Sequence, residues 1–257
     1  MAIRVEREGG ATVVVVDRVE AMNALDLDHA RALRDQLAEL AVDPEARVVV
    51  LTGAGDRAFI AGADIKYMQG LSVLEAREWG ELGHACASSL ETMPKPTIAA
   101  INGYALGGGC ELALAADLRV AASTAKLGQP EINLGIIPGW GGSQRLARAT
   151  TLAYAKELVY TGRTVDAAEA FARGLVSELV EPERLRERVL ELCETLAAKS
   201  AVALAYAKEA TNLALQGDHR SNLEVEERLF AMLFSTEDQK EGMAAFVEKR
   251  TPEFRGT

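Results

Sequence analysis

The chain is short of cysteine and histidine, has no long apolar run, and carries more acid than base; each shortage removes a class of protein. Its three cysteines, Cys86, Cys110 and Cys193, stand far apart, which supports neither a disulfide framework nor a C-x-x-C metal site. They read as buried thiols. His29, His84 and His219 are equally isolated, without H-E-x-x-H or H-x-x-x-H spacing, and read as surface or packed residues rather than ligands. No stretch approaches the ~18 apolar residues of a membrane span, and residues 1–10 lack the apolar core of a signal peptide. A cytoplasmic protein with no membrane partner is expected. The 28 Lys and Arg against 38 Asp and Glu leave a formal charge of −10, a field that repels phosphate backbones, so no nucleic-acid partner is expected either.

What is present suits a folded globule. Apolar residues make up 49% and charged residues 26% of 257 positions, enough for one large domain, or a domain with a small extension, that buries roughly 70–75% of its unfolded surface. Strands are predicted over residues 2–8 and 11–17, joined across Gly9-Gly10. Asp26 is placed to cap a helix reaching about residue 42, with Leu27, Ala30, Leu33, Leu37 and Leu40 at helical spacing and Asp43-Pro44 as its stop. A buried strand over 47–52, a brief one at Phe59 and Ile60, and a helix capped by Asp64 follow. A longer helix over 73–92 ends at Met93-Pro94-Lys95-Pro96. Beyond it the pattern predicts a strand over 97–101, a loop over 102–109, a helix over 111–116, and strands near 118–121 and 126–127. Helices are expected after Gly139 to Gly142 through residue 149, over 152–160, and over 166–173 with Gly174 as the stop, then a last strand over 175–180. Helices over 183–199, 201–216, 221–234 and 237–249 complete the chain. The shift from mixed to purely helical composition divides it into 1–195 and 196–257.

Two glutamates carry the chemistry. Glu111 follows the run Gly107-Gly108-Gly109, and Glu131 follows Pro130. A glycine-rich turn opening a helix can aim bare N–H groups at an oxyanion, because no Cβ blocks approach and the helix dipole favours negative charge there. Gly62-Ala63, ahead of Asp64, offers a second such turn, and two convergent donors can stabilise an oxyanion by several kcal/mol, with ~3 kcal/mol typical for losing one. Alone, either glutamate could merely cap or begin a surface helix. Gly53-Ala54-Gly55-Asp56-Arg57-Ala58 matches the dinucleotide pattern G-x-G-x-x-A, but strand-like Phe59-Ile60 stands where that motif needs a helix, so the match is read as accidental.

The stretch from Lys95-Pro96-Thr97 through Asn102-Gly103-Tyr104-Ala105-Leu106-Gly107-Gly108-Gly109-Cys110-Glu111-Leu112 resembles the signature of the crotonase (enoyl-CoA hydratase/isomerase) family, most closely its short-chain hydratases. Met22-Asn23-Ala24-Leu25, residues 59–66, Gly128-Gln129-Pro130-Glu131 onward to Leu146, residues 168–176 and residues 241–250 match as well, so the resemblance spans essentially the whole chain. It implies an α/β fold of the ClpP/crotonase kind, a spiral of ββα units in 1–195. A C-terminal helical region, 196–257, would pack on neighbours in a homotrimer or homohexamer. It implies that Ala63 and Gly108 N–H groups form an oxyanion hole for an acyl-CoA thioester, and that Ala61, Asp64, Ile65, Lys66, Phe230 and Lys249 contact the CoA.

The implied activity is enoyl-CoA hydratase, the reversible syn addition of water to a trans-2-enoyl-CoA, in fatty-acid β-oxidation or short-chain acyl-CoA metabolism. Glu111 would activate the water and Glu131 protonate Cα. Neither a metal nor a redox cofactor is implied, CoA being part of the substrate. Double-bond isomerisation, hydration of a branched enoyl-CoA, and a non-catalytic acyl-CoA-binding subunit are the alternatives; the presence of both glutamates favours hydration. Departures from the family pattern are Val19 at a common proline position, Tyr67 at a commonly acidic one, and Trp140 where a small residue or Phe is usual, which bears on the acyl pocket.

Overall fold

Alternating valines in the opening strands face two separate cores, and the rest of the architecture follows from that. A computed structural model describes residues 3–257; Ala2, first residue of the predicted opening strand, lies outside the described residues. Strands β1 (Ile3–Glu8) and β2 (Ala11–Val16) form the expected antiparallel hairpin, with Glu8 opposite Ala11. Helix α1 (Leu27–Val42) starts on Asp26, whose carboxylate accepts from the His29 N–H, and buries Ala30, Leu33, Leu37 and Leu40.

From there the chain winds in repeated turns. Strand β3 (Val48–Gly53) pairs with β2 in parallel, β4 (Ala58–Ile60) starts a second sheet, and helices α2 (Ile65–Met68) and α3 (Val73–Thr92) cross back. The next turn repeats the pattern with β5 (Thr97–Ile101), β6 (Tyr104–Leu106) and α4 (Gly108–Ala115). The third uses β7 (Leu118–Ala122), β8 (Lys126–Gly128), and helices α5 (Gly142–Ala149) and α6 (Leu152–Thr161). Then β9 (Thr164–Asp166), antiparallel to β8, and α7 (Ala167–Ala172) lead to β10 (Glu178–Val180). The result is a six-stranded sheet ordered β1-β2-β3-β5-β7-β10 and a four-stranded sheet ordered β4-β6-β8-β9.

Strands buried on both faces read as near-continuous apolar runs. Val14, Val16, Val49, Leu51, Ala99 and Ile101 face the larger core shared with α1, α3 and α4. Val13, Val15, Val48, Val50, Ile98 and Val120 face a smaller core closed by Leu185, Val189 and Cys193 of α8 (Leu185–Ala197). Helices α9 (Ala201–Asn212), α10 (His219–Leu233) and α11 (Glu237–Glu248) follow; α9 and α10 bury no residue completely.

Four local expectations change. The predicted loop over 102–109 contains β6, held between β4 and β8, and the start of α4 at Gly108. Three residues are too few to show a strand period, and Gly109 lies so close to β4 that an added Cβ would meet the Ile60 carbonyl oxygen at 1.9 Å. β9 escaped the pattern for the same reason of length. The predicted strand over 175–180 pairs only over its last three residues, while Leu175 and Val176 are buried in the connecting segment. At α9, regular helix ends at Asn212 and a tighter 3-10 turn, Leu213–Leu215, replaces its predicted last turn.

The G-x-G-x-x-A match has the context expected of an accident. It runs from the end of β3 into β4 with no helix, and a Cβ on Gly53 would strike the Phe59 and Ala58 carbonyl oxygens at 2.1 and 2.3 Å. Asn23, in the left-handed region at φ 59°, fastens this crossing by donating to the Ala58 and Ala54 carbonyls.

Candidate active site

Gly62 and Gly107 bring two backbone turns against each other. Their φ values of 108° and 50° belong to the region that disfavours a side chain. A Cβ on Gly62 would sit 3.1 Å from the Leu106 carbonyl oxygen and 3.9 Å from the Gly108 nitrogen, and one on Gly107 would sit 2.9 Å from Glu131 Oε1. Glycine is therefore what lets the two turns and the carboxylate converge. Just beyond each turn lies an amide without a protein acceptor among the described residues, Ala63 N–H and Gly108 N–H. Gly108 opens α4 and so carries the positive end of that helix.

Glu111, in the first turn of α4, is 1% exposed. Its Oε1 accepts from Trp140 N–H at 2.7 Å and Gly142 N–H at 2.6 Å, leaving Oε2 for the cavity. Burial pushes its carboxyl up; the two amides and the nearby Arg145 charge oppose that rise. Glu131 lies in a 3-10 turn, Pro130–Leu134, and is 9% exposed. Burial first, and the charge of Glu111 second, push it up to about 7. With its amide turned to donate, Gln129 reaches both Glu131 oxygens at 3.1 and 3.2 Å. Near neutral pH the two environments thus differ. At Glu111 two amides and a cation oppose the rise that burial causes, whereas at Glu131 burial and a like charge push the same way.

Ala63, Gly108, Glu111 and Glu131 all line one cavity of about 400 Å³, together with Ala61 and Ile65. Its remaining wall is apolar, from Met68, Leu71, Ile136 and Ile137 to Trp79 and Trp140. Trp140 packs edge-on against Trp79, ring centroids 5.0 Å apart, and Trp79 edge-on against Tyr67 at 5.1 Å. Two of the family departures, Tyr67 and Trp140, are therefore ends of one aromatic stack. Space for the Trp140 indole is made by Gly83 of α3, where a Cβ would lie 2.1 Å from the ring.

The other predicted contact residues are dispersed. Asp64 caps α2 through Lys66 N–H and pairs with Arg18 at 2.9 Å, while Lys66 points to solvent. Phe230 on α10 is 62% exposed beside Phe234, and Lys249 ends α11; neither lines the cavity of the glutamates in this chain. Sequence reasoning missed the clamp on Glu111 and the Trp79 wall. The sequence Pro138-Gly139-Trp140-Gly141-Gly142 signals a special backbone, but nothing in it says that its N–H groups meet a residue near position 111. Among the described residues, no three His, Cys, Asp or Glu gather as a metal site would require.

Comparisons with known proteins establish the family. The enoyl-CoA hydratase/isomerase family model matches residues 6–257. A crotonyl-CoA hydratase of Syntrophomonas wolfei is 46% identical over 252 residues, 98% of this chain and 97% of the relative. A short-chain-enoyl-CoA hydratase of Clostridium acetobutylicum is 44% identical, over 95% of this chain and 94% of that one. In three dimensions, the crystal structure of an enoyl-CoA hydratase from Bacillus anthracis superposes with a TM-score of 0.96 at 40% identity, each chain covered completely. With that fold, the crotonase spiral, and a family match running nearly end to end, the chain belongs to the enoyl-CoA hydratase/isomerase family.

Proposed function

We propose that this protein is a hydro-lyase, an enoyl-CoA hydratase that adds water reversibly and syn across the double bond of a trans-2-enoyl-CoA to give the 3-hydroxyacyl-CoA. The observation that carries the reading is the convergence of two unengaged amides and two buried, unlike carboxylates on one cavity. Ala63 and Gly108 N–H groups donate to the thioester carbonyl oxygen between them, polarising the enoyl system and stabilising the enolate-like charge that develops. Water bonds to Cβ while Glu111 takes its proton. The double-bond electrons move toward Cα and the thioester oxygen, and the proton held by Glu131 completes the addition at Cα. Every proton and electron pair is supplied by water and the two glutamates, so the reaction as proposed calls for no metal or redox cofactor. Fatty-acid β-oxidation or short-chain acyl-CoA metabolism suits that chemistry, and the hydratase names of the relatives support it.

We assign Ala61, Asp64, Ile65 and Lys66 to the CoA side of the site, and Phe230 and Lys249 to the CoA site of an adjoining subunit. The exposed apolar side chains Phe230, Met232 and Phe234 of α10, with Phe246 and Val247 of α11, support burial of residues 196–257 in a homotrimer or a dimer of trimers. Free buried cysteines, and the lack of any described helix long and apolar enough to cross a membrane, support a cytoplasmic setting. The test is loss of the conjugated enoyl absorbance on adding protein to a short trans-2-enoyl-CoA, with solvent oxygen appearing at C3 of the product. Glu111→Gln, which keeps an acceptor for both amides and loses the base, is expected to lower turnover by about 10²–10⁴ with substrate binding retained. A product that is an isomer without added water would replace the hydratase reading with isomerisation.

A further inference from the structure

Beyond the cavity, one side chain holds the backbone that holds Glu111. Arg145 of α5 donates through Nη1 to the Trp140 carbonyl at 2.9 Å, and through Nη2 and Nε to Glu91 Oε2 of α3 at 2.6 and 3.2 Å. Its side chain is 11% exposed. The segment it grips is the one whose Trp140 and Gly142 N–H groups bind Glu111 Oε1. Between those two amides stands Gly141, at φ 105°, where a Cβ would lie 2.2 Å from Arg145 Nη1. The guanidinium occupies the space a side chain would take, so the turn and the arginine are fitted to each other. Glu91 is fixed in turn from the C-terminal region, since Asn212 of α9 donates to its backbone carbonyl at 2.9 Å.

We propose that Arg145, oriented by Glu91, is a positioning residue for the hydration: it sets the 140–142 turn that aims Glu111. The inference rests on the hydratase reading above. A planar fork suits this task, because one guanidinium bonds a carboxylate and a carbonyl in a fixed plane, which an ammonium cannot imitate. Burial raises the Glu111 carboxyl, and the Trp140 and Gly142 amides and then the Arg145 charge oppose that rise. The other charged or titratable groups around Glu111 are Glu131 across the cavity, the Cys110 thiol on its own helix, pushed up to about 12, and Glu91 and His84 of α3 behind the turn. Arg145 is the cation among them that is hydrogen-bonded to the turn.

The experiment uses the full chain with a short trans-2-enoyl-CoA and reads kcat, KM and the pH profile of kcat/KM. Arg145→Gln is expected to lower kcat about 10–100-fold with KM changed by less than about threefold. The acidic limb of kcat/KM should move up by about half a pH unit or more, because the lost cation makes the base harder to ionise. Arg145→Lys should return the limb to its wild-type position while recovering only part of kcat, charge being restored without the fork. Should Arg145→Gln fail to fold, Glu91→Gln serves instead; it loosens the arginine and keeps its charge, and should lower kcat several-fold without moving the limb. An Arg145→Gln enzyme with an unmoved limb and kcat within twofold overturns the inference, as does one destabilised in melting but catalytically normal when folded. A wild-type chain that adds no water defeats the hydratase reading itself, a separate outcome seen before any variant is made.

Discussion

Replacing Glu131 by glutamine should make the protein more stable and nearly inactive. In the folded state the carboxyl is pushed from 4.5 up to about 7, first by burial and then by the charge of Glu111. An acid raised on folding binds its proton more tightly in the native than in the unfolded chain. Below pH 4.5 both states are protonated and the group is neutral to stability. As pH rises from 4.5 toward 7 the unfolded chain loses the proton first, and native stability falls by about 1.4 kcal/mol per pH unit. Above pH 7 the accumulated loss is about 3 kcal/mol. Glutamine cannot ionise, and it can still pair with the Gln129 amide that lies beside both carboxylate oxygens. Glu131→Gln is therefore expected to melt roughly 6–12 °C above wild type at pH 8, and close to wild type at pH 4.5, at one fixed protein concentration. Turnover should drop by about 10²–10⁴ because no proton is available for Cα. A variant no more stable than wild type at pH 8 would refute the argument that burial and Glu111 strain this carboxylate. Stabilisation of equal size at both pH values would also refute it, since that effect could not come from ionisation.

Gly62→Ala forces an alanine to φ 108° with its Cβ 3.1 Å from the Leu106 carbonyl oxygen, a strain of about 1–3 kcal/mol that misaims the Ala63 N–H. Its kcat/KM should fall by about 10²-fold, measured by the enoyl absorbance assay, and a value within threefold of wild type would remove that amide from the oxyanion site. Trp79 stands between Trp140 and Tyr67 on the cavity wall. Trp79→Leu should raise the ratio of kcat/KM for an eight-carbon over a four-carbon enoyl-CoA by about tenfold, since the space it opens would bury roughly two of the four added methylenes at about 0.8 kcal/mol each. An unchanged ratio would place the far end of the acyl chain elsewhere.

Much of the fold was legible because its signals are local and long. Helix α3 spans Val73–Thr92 as its pattern predicts, and a capping box between Ser72 and Glu75 marks its start. Asp26 and Asp64 cap the helices they precede. The three-residue strands β6 and β9 were not legible, since they are strands only by pairing with β4 and β8, partners distant in the chain. Among the site residues, the two glycine turns and both glutamates could be named in advance. Burial of both glutamates and the clamp of Trp140 and Gly142 on only one of them could not.

Residue order by itself determined which chemistry the chain carries. Glycines at 62 and 107 permit backbone angles that other residues resist, and carboxylates at 111 and 131 provide the proton groups. Only tertiary packing decided how those groups differ. Two acids of one type acquire different environments because one receives two backbone donors and an arginine's field, while the other lies buried near the first one's charge. Such differences depend on distance and solvent exclusion in space, which separation along the sequence does not encode.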